Sequence, residues 1–302
     1  MPYSANMVPN YASQVVLITG ASSGIGKELA TGLARRGASL VLVARREDRL
    51  MELATTLRRD HQATVHVVPM DLASPTVDTD LRRAVDALGV RVSSLINNAG
   101  FGTFGYFVDE DRTRLAQEIA VDISAPVKLA AEFLPDIIAG GGGFLINIAS
   151  MAAYTPTPRM AVYGAAKAFV LSFTESVWAE LRKSGITVFA LSPGATSTEF
   201  NSVVGTDDAT AGARPRTVAD VAATAFAHLE RRNPGPSVID GPGNRFAASA
   251  MRLISRRATV NMMARLTDPG RRRRSSQMTR CARRARGCVR DRTSGREAER
   301  RF

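Results

Sequence analysis

Six short stretches of the chain are almost wholly apolar: 15–19, 40–44, 64–68, 94–97, 143–149 and 186–192. Runs of this length without apolar–polar alternation predict strands buried on both faces, as in a parallel sheet. Between them the apolar positions recur every three or four residues, over 24–36, 47–60, 75–88, 110–138 and 160–184. That period predicts helices that bury one stripe and wet the other. Residues 218–231 add a further helix and 237–240 a last edge strand. Regular alternation of strand and helix places the chain in the α/β class, as one doubly wound parallel sheet with helices on both faces. Within 110–138, Pro126 and Pro135 lack a backbone donor, so a kink or break is expected there. The glycines at 140–143 then end that helix.

Charge divides the chain where the pattern stops. Residues 271–302 hold 13 arginines against three acids, a net of +10, whereas the whole 302-residue chain carries +12. The remaining 270 residues are therefore nearly neutral. The 45% hydrophobic content suits one globular domain able to bury a sizeable core. The expected organisation is a disordered lead over 1–13, a catalytic domain over 14–270, and an arginine-rich, disordered tail over 271–302. Both cysteines, Cys281 and Cys288, lie in the tail at a spacing that matches no zinc pattern, so no metal site is expected. No signal peptide and no apolar run of ~18 residues is seen, and a cytoplasmic location is the expectation.

Chemistry enters with the turn after the first strand. Thr19-Gly20-Ala21-Ser22-Ser23-Gly24-Ile25-Gly26 links a strand to a helix. In that context glycines let the backbone approach a pyrophosphate, and the helix N-terminus offers its N–H groups to the phosphates. Tyr163 and Lys167 are four residues apart, on one helix face, with Ser150 thirteen residues earlier. An ammonium beside a phenol favours the phenolate, and a serine hydroxyl can polarise a carbonyl, so the three together can exchange a proton with an alcohol or ketone.

These motifs, with Asn97-Asn98-Ala99-Gly100 and Pro193-Gly194, resemble in order and spacing those of the short-chain dehydrogenases/reductases. The resemblance spans about residues 14 to 245. The wording at 97–105 and 162–173 is most similar to the uncharacterised bacterial oxidoreductase branch. It implies a single Rossmann-type domain, a nicotinamide cofactor, hydride transfer at a carbonyl carbon and a homo-oligomer. In that family Gly20, Ser22, Ser23, Gly24, Ile25 and Gly26 would cradle the cofactor's phosphates. Asp71 and Leu72 would meet the adenine, with a helix-capping role for Asp71 as the alternative. Asn98, Ala99 and Gly100 would pass the ribose, and Pro193, Gly194 and Thr196 the nicotinamide. Tyr163 would be the proton donor, and Lys167 would lower its pKa and bind the ribose. Ser150 would orient the substrate oxygen. Residues 195–216, without a clean period, correspond to the mobile cover of the substrate site.

Two positions depart from the common pattern. Ala44 stands where NAD-preferring members carry an acid, and Arg45 follows it, which favours NADP(H) over NAD(H) because a guanidinium can fork onto the 2′-phosphate. Arg46 either helps or faces solvent. Asp122 stands where the family usually has an asparagine. Its carboxylate would oppose Lys167 and raise the Tyr163 pKa, unless the helix is shifted and Asp122 takes no part.

Phe101, Phe104, Met151, Tyr154, Pro156 and Phe200 neighbour the motifs and favour a small apolar carbonyl or alcohol as substrate. Three readings of the tail stay open: a solvated disordered extension, which is favoured; contact with nucleic acid or an anionic membrane; and a product of a shifted reading frame. The functional expectation is an NADP(H)-dependent oxidoreductase. The alternative is a non-catalytic cofactor-binding sensor or interaction protein that works through its tail.

Overall fold

The computed structural model describes residues 9–200 and 215–268. The expected lead lies partly outside these residues, as does most of the expected cover, and the tail lies wholly outside them. Seven parallel strands form one sheet in the order β3-β2-β1-β4-β5-β6-β7. They are β1 (Val15–Thr19), β2 (Ser39–Ala44), β3 (Val65–Pro69), β4 (Ser94–Asn97), β5 (Phe144–Ile148), β6 (Thr187–Ser192) and β7 (Ser237–Ile239). Each predicted strand is present with its ends within a residue or so.

The helices between them are α1 (Gly24–Arg35), α2 (Glu47–His61), α3 (Val77–Ala87), α4 (Arg112–Ile119), α5 (Ala125–Ala139), α6 (Ala161–Glu180) and α7 (Val218–Leu229). Because β1 is buried on both sides, its alternate residues feed two cores. Val16 and Ile18 pack with Leu29 and Leu33 of α1 on one face. Leu17 packs with Leu81 of α3 and Phe133 of α5 on the other. This is the Rossmann-type arrangement. Strand order reverses between β1 and β4, and a crevice opens beyond their carboxyl ends.

The long stretch at 110–138 breaks, but not as a simple proline kink. α4 and α5 are joined by one wide turn over Ala120–Ser124, closed by the Ala125 N–H bonding to the Ala120 carbonyl five residues back. Pro126 explains it: with no N–H it cannot bond the carbonyl of Asp122, so the ladder slips by one residue. Pro135, by contrast, sits inside α5 without ending it.

Two helices went unread in the sequence. They are α8 (Pro242–Met251) and α9 (Arg256–Leu266). Arg159, with a left-handed φ of 66°, ties α9 down. Its guanidinium donates to the Ala264 carbonyl and to Thr267 Oγ1, both at 3.3 Å, and to the Tyr106 hydroxyl at 3.2 Å.

Candidate active site

A cavity of about 600 Å³ runs from the glycine-rich turn to α8 and α9. That volume lies within the usual range for small-molecule sites. Its cofactor-like end is built by close backbone approach. Gly20 has φ of 65°, and a Cβ there would lie 2.8 Å from the Ala99 Cα. A Cβ on Gly26 would stand 2.4 Å from Asn98 Nδ2 and 2.6 Å from the Gly20 carbonyl oxygen. Asn98 braces this turn, donating through Nδ2 to the Thr19 carbonyl at 2.9 Å and the Gly20 carbonyl at 3.2 Å. Thr19 Oγ1 returns the contact by accepting from the Asn98 and Ala99 N–H groups at 3.0 and 3.1 Å.

Ser22, Ser23, Gly24 and Ile25 line the cavity at the start of α1. Ser23 is the N-cap of α1, yet its side chain makes no capping bond. The helix N-terminus thus keeps backbone N–H groups directed at the cavity, where a phosphate could take them. Arg46 holds both serines, donating to Ser22 Oγ at 3.0 Å and Ser23 Oγ at 2.9 Å. It also pairs with Glu199 at 2.8 Å, and Arg49 pairs with the same carboxylate. These guanidinium bonds hold Glu199 well below the usual carboxylate range, at about 2. Arg45 is exposed and lines the cavity beside Ala44.

Asp71 lines the same end, and its carboxylate caps a turn by accepting from the Ala73 N–H at 3.0 Å. It does not cap α3, whose N-cap is Thr76. Leu72 is buried and joins the core. Ala99 and Gly100 line the middle of the cavity, and Pro193, Gly194 and Thr196 line it beyond β6. A Cβ on Gly194 would meet Asn244 Nδ2 at 2.4 Å, so α8 presses directly on this turn.

The chemistry-bearing group gathers where β5, α6 and the wide turn meet. Ser150 follows β5 and caps a short turn over Met151–Tyr154, its hydroxyl accepting from the Ala152 N–H at 3.1 Å. The same hydroxyl acts on the Tyr163 phenol, favouring its ionised form. Lys167, one turn along α6 and almost fully buried, lies 5.5 Å from the Tyr163 ring centre. Its ammonium donates to the Ile148 carbonyl at 3.3 Å and pairs with Asp122 Oδ2 at 3.0 Å. Asp122 is completely buried, and its other oxygen accepts from the Phe101 N–H at 3.0 Å. The wide turn before Pro126 is what carries this carboxylate inward to face Lys167.

The electrostatics follow from enclosure. Burial pushes the Tyr163 phenol up; Lys167 and, more weakly, the Ser150 hydroxyl oppose the rise, and Asp122 adds to it. Burial would lower Lys167, but Asp122, Tyr163 and Glu118 together outweigh it and the net direction is upward. Asp122 itself is raised by burial in spite of Lys167. Among the described residues no group of three or more His, Cys, Asp or Glu is placed to hold a metal ion.

Of the side chains expected against the substrate, Phe101, Met151, Tyr154 and Phe200 line the cavity, and Phe200 packs 5.2 Å from Tyr163. Phe104 and Pro156 do not line it. Met160, Ala248, Met251, Met263 and Thr267 do, and were missed. All but the first come from α8, α9 and the residue after α9. The Gly241-Pro242 pair, with proline at a helix start, and the Ser255 cap were the available signals.

Fold and site together define an α/β protein with a crevice beyond the strand ends and Ser150, Tyr163 and Lys167 gathered on its wall. The short chain dehydrogenase family model matches residues 14–209, and the chain belongs to that family. An uncharacterised oxidoreductase of Staphylococcus epidermidis is 34% identical over 64% of this chain and 82% of its own. Sulfoacetaldehyde reductase 2 of Chromohalobacter salexigens is 35% identical over 72% of this chain and 86% of its own. A short-chain dehydrogenase from Sphingobium yanoikuyae, solved with NADPH, is 34% identical with a TM-score of 0.71, covering 80% of this chain and 93% of that one. The chain is thus an NAD(P)-dependent oxidoreductase acting on CH–OH and C=O groups. No helix among the described residues is long and apolar enough to cross a membrane.

Proposed function

We propose that the chain is an NADP(H)-dependent oxidoreductase of apolar ketones, aldehydes or secondary alcohols, with Tyr163 as general acid and base. The observation that carries this reading is the gathering of Ser150, Tyr163 and Lys167 on one stretch of the cavity wall, with the Lys167 ammonium 5.5 Å from the Tyr163 ring centre. Bound along the crevice, the nicotinamide would exchange a hydride with the substrate carbon. In reduction Tyr163 gives its proton to the carbonyl oxygen, and in oxidation it takes the hydroxyl proton. Ser150 orients that oxygen, and Lys167 stabilises the phenolate that proton transfer leaves behind.

NADP(H) is favoured because Ala44 offers no carboxylate to a ribose 2′-position, while Arg45 and Arg46 border that end of the cavity. Glu199 competes for Arg46 and would yield to a 2′-phosphate. The apolar preference rests on the lining by Phe101, Phe200, Met160, Met251 and Met263. It owes nothing to the Chromohalobacter relative, whose name specifies a small aldehyde.

The test is an NADPH turnover screen over bulky apolar ketones, aromatic aldehydes and a small polar aldehyde, with wild type and Tyr163→Phe. Turnover on the apolar members, lost by at least ~10³-fold in Tyr163→Phe, is the expected result. NADPH affinity should stay within about twofold, because the phenol's task is proton transfer. Undiminished turnover in Tyr163→Phe would remove Tyr163 from the chemistry. NADPH binding without turnover on any member would instead favour the non-catalytic sensor.

A further inference from the structure

Glu118 is a buried carboxylic acid that the reaction outlined above does not use. It lies on α4 one turn before Asp122 and is completely buried. Thr103 Oγ1 donates to its Oε2 at 3.1 Å, and among the described residues its buried Oε1 has no hydrogen-bond partner. Charged groups face it from three sides. Asp122 approaches from the wide turn and Glu110 from the loop before α4. From α6, both Tyr163 and Lys167 feel its charge. Burial, reinforced by Asp122 and Glu110 and opposed by the Thr103 hydrogen bond, lifts this acid to about 7. It therefore changes charge in the neutral range.

We propose that Glu118 is a positioning residue that, through its charge beside the Asp122–Lys167 pair, sets the proton affinity of Tyr163. As a neutral acid, Glu118 leaves Asp122 and Lys167 balancing each other. Once ionised, it adds a second negative charge to that of Asp122 and tightens the phenol's hold on its proton. The device makes Tyr163 a weaker acid as pH rises through neutrality: it keeps the phenol in the protonated form that carbonyl reduction needs up to higher pH, and it restrains alcohol oxidation, which needs the phenolate. The proposal rests on the reading of Tyr163 as the acid and base, and adds the residue that tunes it.

The first experiment needs no substrate. The Tyr163 titration is isolated as the phenolate absorbance of the full chain minus that of its Tyr163→Phe variant, with and without Glu118→Gln. Glutamine keeps the Thr103 contact and removes only the charge, so the Tyr163 midpoint should fall by roughly 0.3 of a pH unit, less than Asp122→Asn moves it. Superimposable midpoints would overturn the proposal even if the protein turns over substrate. A shifted midpoint in a protein inactive on every substrate would uphold it while sinking the oxidoreductase reading.

The second experiment follows alcohol oxidation against pH. The wild type should show a shoulder near 7, where Glu118 ionises and the climb in rate is briefly blunted. Thr103→Val removes the bond that favours the ionised acid and should move the shoulder to higher pH. An unmoved shoulder in Thr103→Val would count against Glu118 even if Glu118→Gln failed to fold.

Discussion

The two ends of the cavity are built by different means. At the cofactor-like end the work is done by backbone. Gly20 and Gly26 let the β1 turn lie against β4, and Thr19 and Asn98 lock the two strands with reciprocal hydrogen bonds. Every residue involved belongs to a short motif beside the strand-order reversal. At the substrate end the walls are side chains from loops and helices far apart in sequence, closed by α8 and α9 and pinned by Arg159. Backbone cradles tolerate almost no substitution, while walls of methionine and phenylalanine can be reshaped without loss of fold. On the function proposed above, the fixed end would hold the reagent that the family shares, and the adaptable end the substrate that differs.

The contrast predicts the largest effect at a glycine. Gly26→Ala adds one methyl group, but its Cβ would fall 2.6 Å from the Gly20 carbonyl oxygen, and backbone cannot step aside as a flexible side chain can. NADPH affinity should fall by at least ~100-fold, with a stability loss of about 1–3 kcal/mol for the forced shift. Fluorescence titration and thermal melting check both. Met263→Ala, on the adaptable wall, serves as the control and should leave NADPH affinity within about twofold, since apolar truncation there removes no phosphate contact. Equal losses in the two variants would break the comparison.

The same contrast accounts for what could be read without a structure. Strand–turn–helix signals are local, so the sheet, the glycine turn and the Ser150, Tyr163 and Lys167 group were all legible. Asp122 was legible as a residue but not as a geometry. The slipped ladder that turns it inward comes from the missing N–H of Pro126, four residues on, and a proline in a helical pattern reads first as a kink. α8 and α9 were not legible because their apolar residues do not keep a clean buried stripe. Phe246 of α8 and Leu266 of α9 are 77% and 42% exposed, and α9 buries only Thr259 completely enough to join the interior. Glu118 was hidden for the opposite reason: a glutamate in an amphipathic helix reads as surface, and here Thr103 and the α6 face enclose it.

The cofactor-like end can be tested more finely at its two arginines. Arg45→Ala should weaken NADPH by about tenfold, or ~1.4 kcal/mol, and leave NADH within about twofold, because only the 2′-phosphate is concerned. Arg46 is different, since it also grips the Ser22 and Ser23 hydroxyls in the phosphate turn. Arg46→Ala should weaken both cofactors, NADH by roughly threefold through the serine turn and NADPH by roughly tenfold, since only NADPH also loses a 2′-phosphate contact. Parallel titrations of both cofactors separate the two roles. A wild type that binds NADPH and NADH equally would overturn the assignment of Arg45.

The smallest expected effect falls where the two ends meet, at the buried pair of Asp122 and Lys167. Asparagine at 122 keeps the shape and the acceptor for the Phe101 N–H but removes the charge 3.0 Å from the ammonium. Two consequences oppose each other. The Tyr163 phenol loses a nearby negative charge, which lowers its pKa; Lys167 loses the partner that holds it up, so burial draws its own pKa down. While Lys167 stays protonated the first consequence governs, and the sign is definite. Tyr163 releases its proton more readily, and the rising limb of alcohol oxidation moves to lower pH. A shift of about half to one unit corresponds to ~0.7–1.4 kcal/mol, or a three- to tenfold faster oxidation on that limb. Should Lys167 deprotonate within the assay range, a second break must appear at the alkaline end, where its pull on the phenol is lost. Paired pH–rate profiles of wild type and Asp122→Asn distinguish these outcomes. Superimposable profiles would mean that the carboxylate the wide turn carries inward supports the fold alone, leaving the tyrosine to Lys167 and Ser150.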